Sequence, residues 1–61
     1  MNEYQNLLLR AAECEQLARE VQDSAIREKL TELAANFLYL ADQAKLLEDA
    51  AVTLANVLGL S

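Results

Sequence analysis

The sequence predicts an all-α protein: an antiparallel helical hairpin with a longer second helix, assembling into a helical bundle as a homo-oligomer. Three observations predict it. The second half carries an unbroken apolar ladder, Ile26, Leu30, Leu33, Phe37, Leu40, Ala44, Leu47, Ala51, Leu54 and Leu58, whose steps alternate four and three residues. That spacing lays a stripe along one side of an α-helix and keeps it facing a partner helix. Proline is absent and the sole glycine is Gly59, so almost nothing interrupts a helix in a chain dominated by leucine and alanine. The two amphipathic segments are also unequal, and the longer outruns what the shorter can cover.

The chain reads as one helical-hairpin domain over residues 1–61, with a helix over about 2–21, a turn over 22–24 and a helix over about 25–58. In the first segment Tyr4, Leu7, Ala11, Cys14, Ala18 and Val21 recur at steps of three and four, with Leu8 and Leu17 widening the stripe. Asn6, Arg10, Glu13, Gln16, Arg19 and Glu20 fill the opposite side, which makes the helix amphipathic. Gln22-Asp23-Ser24 is the polar interruption that can turn the chain. Either Asp23 or Ser24 can accept a hydrogen bond from the free amides that open a helix, and the Asp23 charge favours that positive end. A single straight helix running through is the competing reading, since nothing in the linker forbids helical dihedrals. Against it, the step from Val21 to Ile26 is five residues and rotates the second stripe away from the first. A short connection between two amphipathic helices closes an antiparallel hairpin.

The second helix, from Ser24 to Leu58, would be roughly 50 Å long and the first roughly 30 Å at 1.5 Å per residue. The excess carries Leu46, Leu47, Val52, Leu54, Val57, Leu58 and Leu60. Leaving such side chains in water forgoes about 1.5–3 kcal/mol each, on the order of 10 kcal/mol together, comparable with the whole stability of a small domain. Either the second helix stays continuous and pairs with another copy, or the chain bends near Leu47-Glu48-Asp49 and Asp49 caps a third short helix that folds back. The uninterrupted ladder favours continuity, as does the outer seven-residue row of Glu28, Ala35, Asp42, Asp49 and Asn56. No glycine, proline or asparagine stands near the bend that folding back requires. The expected oligomer interface is Phe37, Leu40, Ala44, Leu46, Leu47, Ala51, Leu54 and Leu58. Ala34, Ala41 and Ala55 fall beside the stripe at seven- or fourteen-residue intervals. They either permit helix approach at about 8–9 Å or serve only as helix formers.

The run Arg10-Ala11-Ala12-Glu13-Cys14-Glu15-Gln16-Leu17-Ala18-Arg19-Glu20, then Asp23 and Arg27, then Leu30-Thr31-Glu32-Leu33-Ala34-Ala35-Asn36-Phe37-Leu38-Tyr39-Leu40-Ala41 resembles a family of small proteobacterial helical-hairpin proteins. That family pairs an "RAxECxxLAxE" helix with an "LxxLAxxWxxLA" helix. The resemblance covers roughly residues 4–45, with Ser24 where the family often has proline and Phe37 where it often has tryptophan. It implies a bacterial hairpin. The family has no established activity, so the resemblance implies none here.

A 61-residue chain is one domain at most, and a core of that size normally supplies only about 3–5 kcal/mol without a disulfide, a metal or a partner subunit. Cys14 is the only cysteine and histidine is absent. No internal disulfide can form, and the commonest metal ligand and best proton-transfer group near neutral pH are missing. Assembly is the support that remains. The net charge of −5 is spread along the chain, and Arg10, Arg19, Arg27, Lys29 and Lys45 are scattered among acids. This disfavours nucleic acid and anionic membrane surfaces as partners. The amino terminus lacks a positive n-region, and no window approaches the roughly 20 apolar residues of a membrane span. The expected setting is cytoplasmic.

Cys14 lies on the inner stripe of the first helix and reads as a small core residue; the sharper alternatives are an intermolecular disulfide or a reactive thiol. Glu13/Glu20 and Glu28/Glu32 read as a solvated face, with Glu15 and Arg19 expected to form an i,i+4 pair. The facing-glutamate di-metal sites of helical bundles need a Glu-x-x-His element that this chain lacks. Phe37 reads as core, and Tyr39, Leu46 and Thr53 as either a secondary contact surface or exposed side chains. No catalytic residue, cofactor or metal ligand is expected, and the chain does not read as an enzyme. The partners expected are itself, as a homodimer or higher oligomer, and another protein. The function that follows is a self-associating interaction or scaffold module of the protein-binding or regulatory kind. The alternative is a small dimeric hairpin that docks RNA on one bundle face.

Overall fold

Two polar residues determine where the helices start. In the computed structural model, which describes residues 2–59, α1 spans Glu3–Glu20 and α2 spans Ser24–Leu58. Asn2 caps α1, its side-chain oxygen accepting from the Gln5 amide at 2.8 Å, and Glu3 adds a negative charge in the first turn. Asp23 caps α2, one carboxylate oxygen accepting from the Ala25 and Ile26 amides at 2.9 and 3.1 Å. Ser24, left open as the alternative cap, is instead the first helical residue. The turn accordingly lies over 21–23, one residue earlier than the expected 22–24.

Val21 and Asp23 both adopt extended backbone conformations, and this ends α1. The Arg27 guanidinium then reaches back from the first turn of α2 and donates to the Val21 carbonyl at 2.9 Å, a bond that ties the loop to the helix it launches. At the far end, Gly59 takes the left-handed conformation (φ 76°) that L side chains rarely adopt, and its amide donates to the Asn56 carbonyl at 3.2 Å. Replacing Asp23 by alanine removes the acceptor for two amides. It is expected to cost about 1 kcal/mol and to lower Tm by roughly 4–8 °C in a thermal melt followed by circular dichroism.

The helices run antiparallel. Val21 meets Arg27 across the turn, and the Lys45 ammonium lies 5.9 Å from the centre of the Tyr4 ring where α1 begins. On α1 the stripe read from the sequence is the one that packs: Ala11, Cys14 and Ala18 are buried, and Tyr4, Leu7 and Val21 are half-buried. On α2 the contact is rotated away from the leucine ladder. Ala34 and Ala41 are the buried residues, 3% and 0% exposed, flanked by half-buried Leu30, Phe37 and Ala44. The ladder residues Ile26, Leu33 and Leu40 remain 52%, 43% and 48% exposed.

The cause is geometric. Alanines on both helices let the backbones approach closely, and closest approach is reached when the small side chains occupy the line between the axes and the leucines splay to the sides. Phe37, expected in the core, is therefore only half covered. α2 is a single unbroken helix of 35 residues, with no third helix folded back among the described residues. Because α1 has run out by Lys45, the stretch 46–58 projects roughly 20 Å beyond it at 1.5 Å per residue, consistent with a longest dimension of 54 Å.

Candidate interaction surface

The inward half of α2 consists of three seven-residue rows. One row is Ala34, Ala41 and Ala55; the middle row is Leu30, Phe37, Ala44, Ala51 and Leu58; the third is Ile26, Leu33, Leu40, Leu47 and Leu54. α1 covers the first two rows as far as Ala44. The third row is left open along the whole helix. A helix in a bundle has two neighbours and needs an apolar stripe wide enough for both, so three rows with one neighbour leave one side unpartnered.

The open row continues across the hairpin. On that flank a shallow groove between the helices is lined by Arg10, Glu13, Cys14, Leu17 and Phe37, and next to it an open concavity is lined by Ala25, Ile26, Lys29, Leu30 and Leu33. Leu17 projects into this surface from α1, half exposed. Leu17, Ile26 and Leu33 were not among the expected interface residues. The signal that could have found them is the width of the stripe, three rows rather than two.

The expected interface residues fall into two groups. Phe37 and Ala44 are half-buried in the hairpin, whereas Leu40, Leu46, Leu47, Ala51, Leu54 and Leu58 are exposed. Beyond α1 the helix is apolar around nearly its whole circumference, with Leu47 72% and Val57 76% exposed and only Glu48, Asp49, Thr53 and Asn56 polar between 46 and 58. Leu60, counted with the projecting leucines, lies outside the described residues. Tyr39, Leu46 and Thr53 are exposed on a different side from the open row.

Each cation is engaged locally. Arg10 pairs with Glu13 at 3.7 Å, Lys29 with Glu32 at 3.7 Å and Lys45 with Asp49 at 3.4 Å. Arg19 donates to the Gln16 side-chain carbonyl at 3.2 Å, while the Gln16 amide donates to Glu20 at 3.0 Å. The expected Glu15–Arg19 pair is thus displaced by a partner one residue nearer along the helix. Arg19 and Arg27 line one concavity together with Glu15, whereas Arg10, Lys29 and Lys45 each sit beside an acid of their own helix. Cys14 is buried at the hairpin contact with its thiol free. Among the described residues no three histidine, cysteine, aspartate or glutamate side chains group as a metal site, and no helix is long and apolar enough to cross a membrane.

The chain matches no family model, no curated protein and no solved structure. What it does must be read from its surface. Among the described residues that surface carries an aliphatic band from Ile26 to Leu58 and, between the helices, a separate open concavity lined by Glu15, Ala18, Arg19, Arg27 and Thr31.

Proposed function

We propose that the chain is a self-associating helical interaction module, a hairpin whose long second helix assembles with a second copy and leaves the flank away from the leucine row to receive another protein. The observation that carries the proposal is the unpartnered leucine row, which runs the length of α2 and continues through the base-free projection. An exposed aliphatic band of this extent marks a site of association. The area agrees. A compact 6.8 kDa protein exposes roughly 3,950 Å² by the scaling of surface with mass, whereas this chain exposes 4850 Å². The excess, about 900 Å², is close to the roughly 800 Å² that each partner contributes to a standard protein interface.

Energetics point the same way. The buried residues of the hairpin are Ala11, Cys14, Ala18, Ala34 and Ala41, all small. Such a core contributes far less than one of leucines, at about 25 cal/mol per Å² buried. Association adds the leucines to it. Arg10, Lys29 and Lys45 are each paired with an acid of their own helix, and the concavity that holds Arg19 and Arg27 also holds Glu15, which disfavours docking of RNA, a ligand that needs a continuous basic face.

Sedimentation equilibrium across micromolar concentrations tests the proposal. The expected mass is twice 6.8 kDa or a higher multiple, with a melting temperature that rises with protein concentration. A folded, concentration-independent species of 6.8 kDa would overturn it.

A further inference from the structure

We infer that the assembly is built by α2 pairing antiparallel with α2 of a second copy, in the register centred on Asp42. The inference rests on the self-association proposed above and adds its orientation and alignment. The ladder, stepping four and three in alternation, reads the same in both directions about residue 42. Any such ladder mirrors itself somewhere; where the mirror falls and what it brings together select this pairing.

Residue 42 lies within one residue of the midpoint of α2, Ser24–Leu58. Two copies reversed about it overlap along their full length, from Ile26 against the partner's ladder end to Leu58 against the partner's ladder start. Sliding by seven residues in either direction leaves two rungs of each copy beyond the end of the other helix. In the centred register Leu33 meets Ala51 and Leu40 meets Ala44. At these two pairs large side chains oppose small ones, which fills space that alanine against alanine would leave empty, while Ile26, Leu30 and Phe37 meet Leu58, Leu54 and Leu47. Parallel pairing in register instead sets Ala44 and Ala51 against themselves and Phe37 against Phe37.

Charge and coverage select the same orientation. Residues 46–58 carry Glu48 and Asp49 and no base, so parallel copies would gather both acidic ends together. Reversal instead sets the two acidic ends at opposite ends of the pair, and it opposes the two helix dipoles. The projection of each copy then runs along the open flank of its partner's hairpin, over the concavity at Ile26 and Leu33. The overhang of roughly 20 Å is matched to a surface that α1 leaves bare.

Cysteine pairs in a Cys14→Ala background test the alignment. In the centred antiparallel register Leu33→Cys lies next to the partner's Ala51→Cys, while like positions are separated by roughly 27 Å along the helix. A short bismaleimide is therefore expected to link an equimolar mixture of the two variants at least tenfold more than either variant alone. The pair Ile26→Cys and Leu58→Cys, at the two ladder ends, should behave in the same way and guards against a local effect of one substitution. Self-linking of the single variants would overturn the orientation, and no linking in either mixture from a chain that sediments as a dimer would overturn the register. A monomer by sedimentation would remove the underlying association itself, so the two failures are distinguishable.

Discussion

Leu47→Asp with Leu54→Asp is expected to convert the assembly to a monomer. Both leucines are exposed on the open row beyond the end of α1, so neither touches the hairpin contact and the hairpin itself has no reason to unfold. A symmetric dimer loses four leucines from its interface. At the lower figure of about 1.5 kcal/mol for each buried leucine, the loss is about 6 kcal/mol, roughly four orders of magnitude in Kd. The aspartates add the cost of desolvating four carboxylates within an apolar row. Sedimentation at a concentration where the parent is fully associated reads the change. Thr53→Asp with Asn56→Asp, two charges placed on the same projection off the ladder, should leave the mass unchanged if the row rather than net charge holds the copies together. Equal dissociation by both double variants would show that general repulsion, not burial of the leucine row, explains the result.

The separation of roles between rows is the part of this structure that the sequence hides. The two helices, the turn and the unbroken second helix follow from step lengths, from Asp23 and from the absence of proline, all features of the local chain. Which side of α2 meets α1 depends on a different quantity, how near the two backbones can come. Hydrophobicity ranks leucine above alanine and so turns Leu33 and Leu40 inward. Packing reverses that order, because Ala11 and Ala18 on one helix and Ala34 and Ala41 on the other define a line of contact that leucines would hold open. Phe37 illustrates the compromise: it lies on the row between the alanine line and the open leucine row and is half covered by α1. The loop bond from Arg27 to Val21 was likewise not legible, since it requires knowing that the chain reverses at Asp23 before the guanidinium has a carbonyl to reach. The ion pairs depend on rotamer choice among several acids at i+3 and i+4, which spacing alone does not decide.

Ala41→Leu tests that account of the hairpin directly. Ala41 is fully buried against α1 and lies at the line of closest approach. Three added carbons there have no cavity to enter, so α1 must move outward and the contacts of Ala34 and Cys14 open with it. Overpacking of this kind costs about 1–3 kcal/mol. In a domain this small that is a fall in Tm of roughly 4–8 °C per kcal/mol, and against total support of about 3–5 kcal/mol it leaves little margin for folding. The same substitution at Ala35, which is exposed on the outer row, is expected to stay within about 0.5 kcal/mol of the parent. The comparison that decides is with Leu40→Ala, one residue away on the open row. If the alanine line is the hairpin contact, Ala41→Leu lowers the stability of the monomeric Leu47→Asp, Leu54→Asp chain and Leu40→Ala barely does, whereas in the associating chain Leu40→Ala weakens the dimer. If the leucine row were the hairpin contact, the order in the monomer would invert: Leu40→Ala would cost the about 2–5 kcal/mol of a core truncation, and Ala41→Leu would be tolerated on the surface.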